Sequence, residues 1–171
     1  MSTASSPAPA QLTTARLVLR PWTGAEAAAV LADTRSARWA DDFPAEGDRV
    51  IAALFAQHPA WLGEHGHRLI IERDSGLVVG SIGLFWPPSE GTVEIGYGVV
   101  ASRRGRGYAA EAARALADFA LTAPGVHAVV AGVELSNPAS LRVLEKAGFR
   151  RSATEDGVAR FMLTSRDRSG Q

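Results

Sequence analysis

Apolar and polar positions alternate along Arg16-Leu17-Val18-Leu19-Arg20-Pro21-Trp22, and this period of two predicts a strand. Gly24 to Ala32 is Ala-rich and predicts a helix with Thr23 as its cap. Arg35 to Gly47 has no period and reads as irregular, with Trp39, Phe43 and Pro44 inside it. From Asp48 to about Gly63 the residues Val50, Ile51, Leu54, Phe55, Trp61 and Leu62 recur at helical spacing, with Pro59 expected to bend or interrupt the helix. Three strands follow in a row: Arg68 to Glu72, Leu77 to Phe85 and Thr92 to Val100. Their connections, Asp74-Ser75-Gly76 and the Pro87-Pro88-Ser89-Glu90-Gly91 loop, are short enough to imply an antiparallel meander.

Gly107 to Leu121 carries an apolar stripe at Ala109, Ala112, Ala113, Leu116, Phe119 and Ala120, which predicts a helix ended by Pro124-Gly125. Val126 to Glu134 then reads as a strand. A strand, a helix and a strand imply a parallel crossover beside the meander. Asn137 suits an N-cap, Pro138 a first helical residue and Gly148 a left-handed terminator, so a further helix lies between them. Phe149 to Ala153 and Val158 to Leu163 read as a closing hairpin around Glu155-Asp156-Gly157. The fold class is α/β (α+β): a mixed, mostly antiparallel twisted sheet flanked by about four helices. One domain is expected over residues 12–164, with a flexible tail at 1–11 and a frayed end at 165–171.

The chain has 171 residues, enough for one domain with a real core. Its formal net charge is +0, so no global charge points to nucleic acid or an anionic membrane. The absence of cysteine excludes disulfides, thiolate metal sites and a Cys nucleophile. His58, His65, His67 and His127 show no metal-ligand spacing. No basic head with an apolar block opens the chain, and no apolar run is long enough for a bilayer, so a soluble cytoplasmic protein is expected. Lys146 is the sole lysine among the 18 basic residues, a bias read as that of a GC-rich genome.

The segment richest in chemistry is Arg104-Gly105-Arg106-Gly107-Tyr108-Ala109, between the strand ending at Val100 and the helix that follows. The first N–H groups of a helix point outward unpaired, and its dipole favours negative charge there. Gly105 and Gly107 let the backbone approach a phosphate, and Arg103, Arg104 and Arg106 add positive charge. A phosphorylated cofactor is expected. The same glycines fit G-x-G-x-x-A, the dinucleotide fingerprint, with Glu134 as its ribose ligand. Against that reading, Ala101-Ser102-Arg103-Arg104 separates strand from glycine, Glu134 lies beyond the expected spacing, and a meander precedes the motif.

The order of meander, R-x-x-G-x-A turn, helix, strand, N-x-x-S at Asn137 and Ser140, then L-E-K-A-G-F resembles the GNAT superfamily of N-acetyltransferases. T-x-R-L-x-L-R-P at Thr14 to Pro21 and E-I-G-Y at Glu94 to Tyr97 resemble its RimJ/RimL-type branch, the ribosomal-protein N-terminal acetyltransferases. The resemblance implies acetyl transfer from acetyl-CoA to a primary amine. It implies a strand at Val93 to Val100 that splays from the one at Val126 to Glu134. A pantetheine arm would pair with backbone at Gly98, Val99 and Val100, and a diphosphate would sit on N–H groups of Arg104, Gly105, Arg106, Gly107, Tyr108 and Ala109. Asn137 and Ser140 would approach the sulfur end.

An amine attacks a thioester only when deprotonated, and α-amino and lysine groups titrate at about 8 and about 10.4. Glu94, a carboxylate in an apolar strand, is the candidate base, against the reading of a solvated strand position. The Val99 N–H can polarise the thioester oxygen. Ser140 can return a proton to the thiolate, or be only a helix-start hydroxyl, just as Asn137 can be only a cap. The family's tyrosine acid near the last helix has no obvious bearer, since Tyr97 and Tyr108 both come too early. Glu111 reads as a first-turn carboxylate. With no Cys, attack within a ternary complex is favoured over an acetyl-cysteine intermediate, with a Ser intermediate as the alternative. The resemblance implies an acceptor groove built largely by about Ala25 to Gly63; Trp39, Asp41, Asp42, Phe43, Glu46, Trp61 and Glu64 there suit a cationic amine: a protein N-terminus or a small molecule. The Trp86-Pro87-Pro88 loop reads as a rigid turn, or as a homodimer or acceptor contact. The rival of another class is a non-catalytic acyl-CoA sensor on the same fold.

Overall fold

The computed structural model describes residues 11–169. The expected tail, apart from Gln11, and the final Gly170 and Gln171 lie outside the described residues. In chain order the elements are β1 (Leu12–Thr13), β2 (Leu17–Pro21), α1 (Gly24–Leu31), α2 (Glu46–Leu54), β3 (His67–Glu72), β4 (Val78–Leu84), β5 (Thr92–Val99), α3 (Tyr108–Ala120), β6 (Ala128–Glu134), α4 (Pro138–Lys146), β7 (Arg150–Glu155), β8 (Val158–Thr164) and α5 (Ser165–Ser169).

Local chemistry sets most of these limits. Thr23 caps α1, and Glu26 returns a bond to the Thr23 N–H at 2.9 Å. Asp48 accepts the Ala45 N–H at 2.8 Å, which makes Asp48 the third residue of α2 and starts that helix earlier than the apolar spacing implied. The helix stops at Leu54, and Pro59 opens a separate single turn, Pro59–Leu62, in place of a continuous helix to Gly63. Asn137 caps α4, and Gly148 leaves it at φ 93°. Asp156 and Gly157, at φ 52° and 76°, form the two-residue turn between β7 and β8. Residues 165–169, expected to fray, form a short helix whose Asp167 accepts the Thr164 N–H at 2.9 Å.

The strands form one sheet of order β1-β2-β3-β4-β5-β6-β8-β7. Every neighbouring pair is antiparallel except β5 and β6. The edges are a two-residue strand on one side and the wholly exposed β7, carrying Arg150 and Arg151, on the other, which blunts edge pairing. Alternation along β3 separates the two faces. Arg68 and Glu72 reach the Phe119 ring and the Tyr108 hydroxyl of α3. His67 instead meets Phe55, the residue that caps the end of α2. Leu17, Leu19, Ile70, Leu116, Phe161 and Leu163 are fully buried, each worth about 1.5–3 kcal/mol relative to exposure. The buried side of α3 includes Tyr108, Ala110 and Ala117, whereas Ala109 and Phe119, expected in the stripe, are half-buried.

The parallel ladder is short. It pairs Thr92, Val93 and Glu94 with Ala128, Val129 and Val130. Beyond it β5 stays with β4 as far as Val99, and β6 stays with β8 as far as Glu134. A gap therefore opens in the middle of the sheet from Ile95 onward.

Candidate active site

A cavity of about 830 Å³ occupies this gap, walled by the end of β5, the turn before α3, the start of α3 and one face of α4. Gly98, Val99, Arg104, Gly105, Gly107, Tyr108, Ala109, Asn137 and Ser140, all singled out from sequence, line it. Val100, Arg106 and Glu94 do not. Val100 is buried, and its N–H bonds the Val79 carbonyl at 2.9 Å. Alternation then turns the Val99 N–H and carbonyl toward the gap, where that carbonyl accepts from Arg104 Nε at 3.1 Å. Glu94 is exposed on the opposite face of β5 from Ile95 and Tyr97, at the last residue of the parallel ladder.

Gly105 and Gly107 have φ of 80° and 82°, a region an L side chain enters only with strain, and Gly107 is the residue before α3. No side chain caps α3, so its first N–H groups lie open to the cavity. A Cβ at Gly107 would stand 3.3 Å from Arg16 Nη2 and 3.8 Å from Lys146 Nζ.

The arginines of the turn are less free than their sequence implied. Arg103 Nε and Arg106 Nη1 each lie 3.3 Å from Glu72 Oε2. Glu72, 5% exposed on β3, also accepts from the Tyr108 hydroxyl at 2.7 Å and from Ser75 Oγ at 2.6 Å. Burial pushes this carboxyl up, and the bonds from Ser75, Tyr108 and Arg103 outweigh it and hold the group below the usual range. The bond to Glu72, with burial, raises the Tyr108 phenol. Glu72 thus fastens the turn to the sheet. Glu111 does the same for the first turn of α3, accepting from Thr14 Oγ1 at 2.5 Å and from Arg16 N and Nε at 2.9 Å.

At the other end of the cavity, Asn137 spends its Oδ1 on the Ser140 N–H at 3.2 Å. Ser140 Oγ lies 2.7 Å from the Tyr97 hydroxyl. Tyr97 was set aside on its early place in the chain, and the fold brings it to α4 across 43 positions. Burial raises its phenol above the usual value, against the lowering effect of Ser140. Alternation with Val93 and Ile95 was a signal for the face that Tyr97 occupies. Ala139, Arg142, Val143 and Lys146 also line the cavity, and their helical spacing of three and four puts them on one face of α4. Glu72 had no signal in the sequence. Among the described residues no cluster of three His, Cys, Asp or Glu could hold a metal, and no helix is long and apolar enough to cross a membrane.

The family model described as the acetyltransferase (GNAT) domain matches residues 16–150. The chain is 38% identical over 82 residues to the uncharacterized N-acetyltransferase YjdG of Bacillus subtilis (strain 168), an alignment covering 47% of this chain and 49% of that protein. The chain thus spans about half the length of this curated relative. Its fold is similar to that of Mycobacterium smegmatis RimJ in complex with CoA-disulfide, at 23% identity, TM-score 0.66, and 93% and 89% coverage of the two chains. It is equally similar to a spermidine N-acetyltransferase SpeG chimera from Vibrio cholerae and hSSAT, at 15% identity, TM-score 0.66, and 92% and 100% coverage. The chain belongs to the GNAT acetyltransferase family.

Proposed function

We propose that this GNAT-family protein moves the acetyl group of acetyl-CoA to a primary amine, by direct attack in a ternary complex. The observation that carries the reading is the gap beyond Glu94, with an uncapped helix start and two left-handed glycines at one end and a paired Ser140 and Tyr97 at the other. The donor set fits a diphosphate. Gly105 and Gly107 leave room for it, the open N–H groups of Tyr108 and Ala109 would bind it, and Arg104 and Lys146 line the same wall. Gly98 and Val99 would hold the amide-bearing arm by backbone pairing. Val100 and Arg106, expected among these contacts, are better read as supports, since the one bonds β4 and the other Glu72. When bound, acetyl-CoA supplies an activated acyl carbon.

Around that carbon the chain has three tasks. The Val99 N–H, turned to the gap, would steady a carbonyl oxygen as charge grows on it. The Ser140 hydroxyl, backed by a Tyr97 phenol that burial keeps protonated, would return a proton to the departing sulfur. Glu94 would take the proton of the attacking amine. Exposed on the face of β5 opposite Tyr97, it would act through a water between carboxylate and amine. The acceptor is a protein N-terminal α-amine or a small-molecule amine. The T-x-R-L-x-L-R-P and E-I-G-Y segments and the RimJ-like fold favour the former, and the equal likeness to a spermidine enzyme keeps the latter.

Thiol release from acetyl-CoA with a panel of N-terminal peptides, polyamines and small amines tests the reading. At least one amine is expected to stimulate release. Glu94→Gln should slow that reaction most at low pH, about tenfold or more, with CoA affinity little changed. Equal rates at every pH would remove Glu94 from the mechanism. A second reading, an acyl-CoA-binding protein without turnover, draws on the absence of Glu94 from the cavity wall. CoA binding without amine-stimulated release would establish it.

A further inference from the structure

We propose that Asp42 is a positioning residue that couples the segment between α1 and α2 to the cofactor turn, so that occupancy of the turn stiffens that segment. The inference rests on the reading of the cavity as a CoA site. Asp42 Oδ2 accepts the Ser102 N–H at 2.8 Å, and its Oδ1 accepts the Ser102 hydroxyl at 2.8 Å, across 60 positions of sequence. Ser102 is the middle residue of the single helical turn Ala101–Arg103 that joins β5 to the glycines. Its Oγ in turn accepts from Arg103 Nη1 at 3.1 Å, and Arg103 reaches Glu72. The bond from the Ser102 N–H holds the Asp42 carboxyl below its usual range, so it is ionised when it holds the turn.

On the other side Asp42 adjoins a packed stretch of chain. Its neighbour Phe43 is 1% exposed and stacks edge-on with Trp39 at 5.4 Å. Arg35 folds over the same stretch, donating to the Phe43 and Ala40 carbonyls at 2.7 and 2.9 Å. The Ala40 N–H bonds the Val78 carbonyl at 3.0 Å, and the next residue of β4, Val79, accepts the Val100 N–H at 2.9 Å. Residues 40, 78, 79, 100, 102 and 42 thereby form a closed ring of contacts. Five of its links are backbone, along the chain or through backbone hydrogen bonds, and Asp42 is the side-chain link that closes it. A ligand that fixes Ser102 and Arg103 fixes Asp42, and through it the buried Phe43. Coupling of this kind is reciprocal: any ligand that orders the segment would tighten CoA by the same factor.

Hydrogen–deuterium exchange of the full chain, with and without CoA, tests this. In the parent protein CoA should slow exchange both at residues 103–110 and at residues 36–44. In Asp42→Ala it should slow only 103–110, and the Kd for CoA by calorimetry should rise about threefold to fivefold. Ser102→Ala, which keeps the backbone bond, should show a smaller loss of protection at 36–44 and serves if Asp42→Ala does not fold. Protection at 103–110 without protection at 36–44 in the parent would overturn the coupling and leave the CoA reading intact. Full protection of 36–44 in Asp42→Ala would overturn it as well. No protection anywhere would sink the CoA reading, and this inference with it.

Discussion

His67 places a titratable ring where neither water nor a partner can serve its charge. It is 2% exposed, its Nε2 has no hydrogen-bond partner, and the rings of Phe55, Trp61 and Phe85 stand 5.9, 5.1 and 5.2 Å away. Desolvation of the charged form lowers its pKa from 6.5 to about 4. The unfolded chain therefore takes up a proton near pH 6.5 that the folded chain refuses until about pH 4. Stability from this group is complete above pH 6.5 and drains away as pH falls toward 4. The loss is about 2 kcal/mol between pH 7 and pH 5. Asp48 acts in the opposite sense, since burial raises its carboxyl and the folded chain holds that proton more tightly. Replacing His67 isolates the first effect. His67→Phe should flatten the change in urea stability between pH 7 and pH 5 by about 2 kcal/mol. An unaltered slope would mean that another group governs the acid limb.

Among the elements, the turn into α3 bears most on the proposed function, and its backbone makes a sharp demand. Gly107 sits at φ 82° with Arg16 Nη2 3.3 Å from where a Cβ would be. Gly107→Val would strain the backbone by about 1–3 kcal/mol and fill the approach to the open N–H groups. The folded variant should bind CoA at least about tenfold more weakly by calorimetry. Normal affinity would move the diphosphate off this turn. The turn was legible in the sequence because glycines, a cap and a helical stripe are local signals, and the same holds for Thr23, Asn137, Pro138 and Gly148. Partners brought together by tertiary packing were not legible. Glu72 meets Arg103, Arg106 and Tyr108 across 31, 34 and 36 positions, and that pairing also ties two arginines of the turn to the sheet. Along β5 the period of two was plain, but which face α3 would cover was not. Tyr97 therefore went unclaimed, and the exposed side of the strand on which Glu94, the candidate base, stands was not foreseen. The two-residue β1 is too short for any pattern to announce.

At the scale of the molecule, the sheet is two packed halves joined by three residue pairs. β1 to β5 bury Leu19, Ile70 and Ile82, and β6 to β8 bury Val129, Phe161 and Leu163. The two halves part where the cavity lies, so a ligand seated there touches β5, α3 and α4 at once. Binding to the folded chain alone stabilises it by about 2.7 kcal/mol at a hundredfold excess over Kd, which for a domain of this size raises Tm by about 5–10 °C. The size of the shift is general to any ligand, but its division between parts of the ligand is specific to this architecture. If the glycine turn holds the diphosphate, pantetheine, which lacks one, should give a much smaller shift than CoA at equal concentration. Gly107→Val should bring the CoA shift down toward the pantetheine value and leave the pantetheine shift nearly unchanged. Equal shifts from the two ligands in the parent protein would mean that the backbone edge of β5, and not the start of α3, carries the affinity.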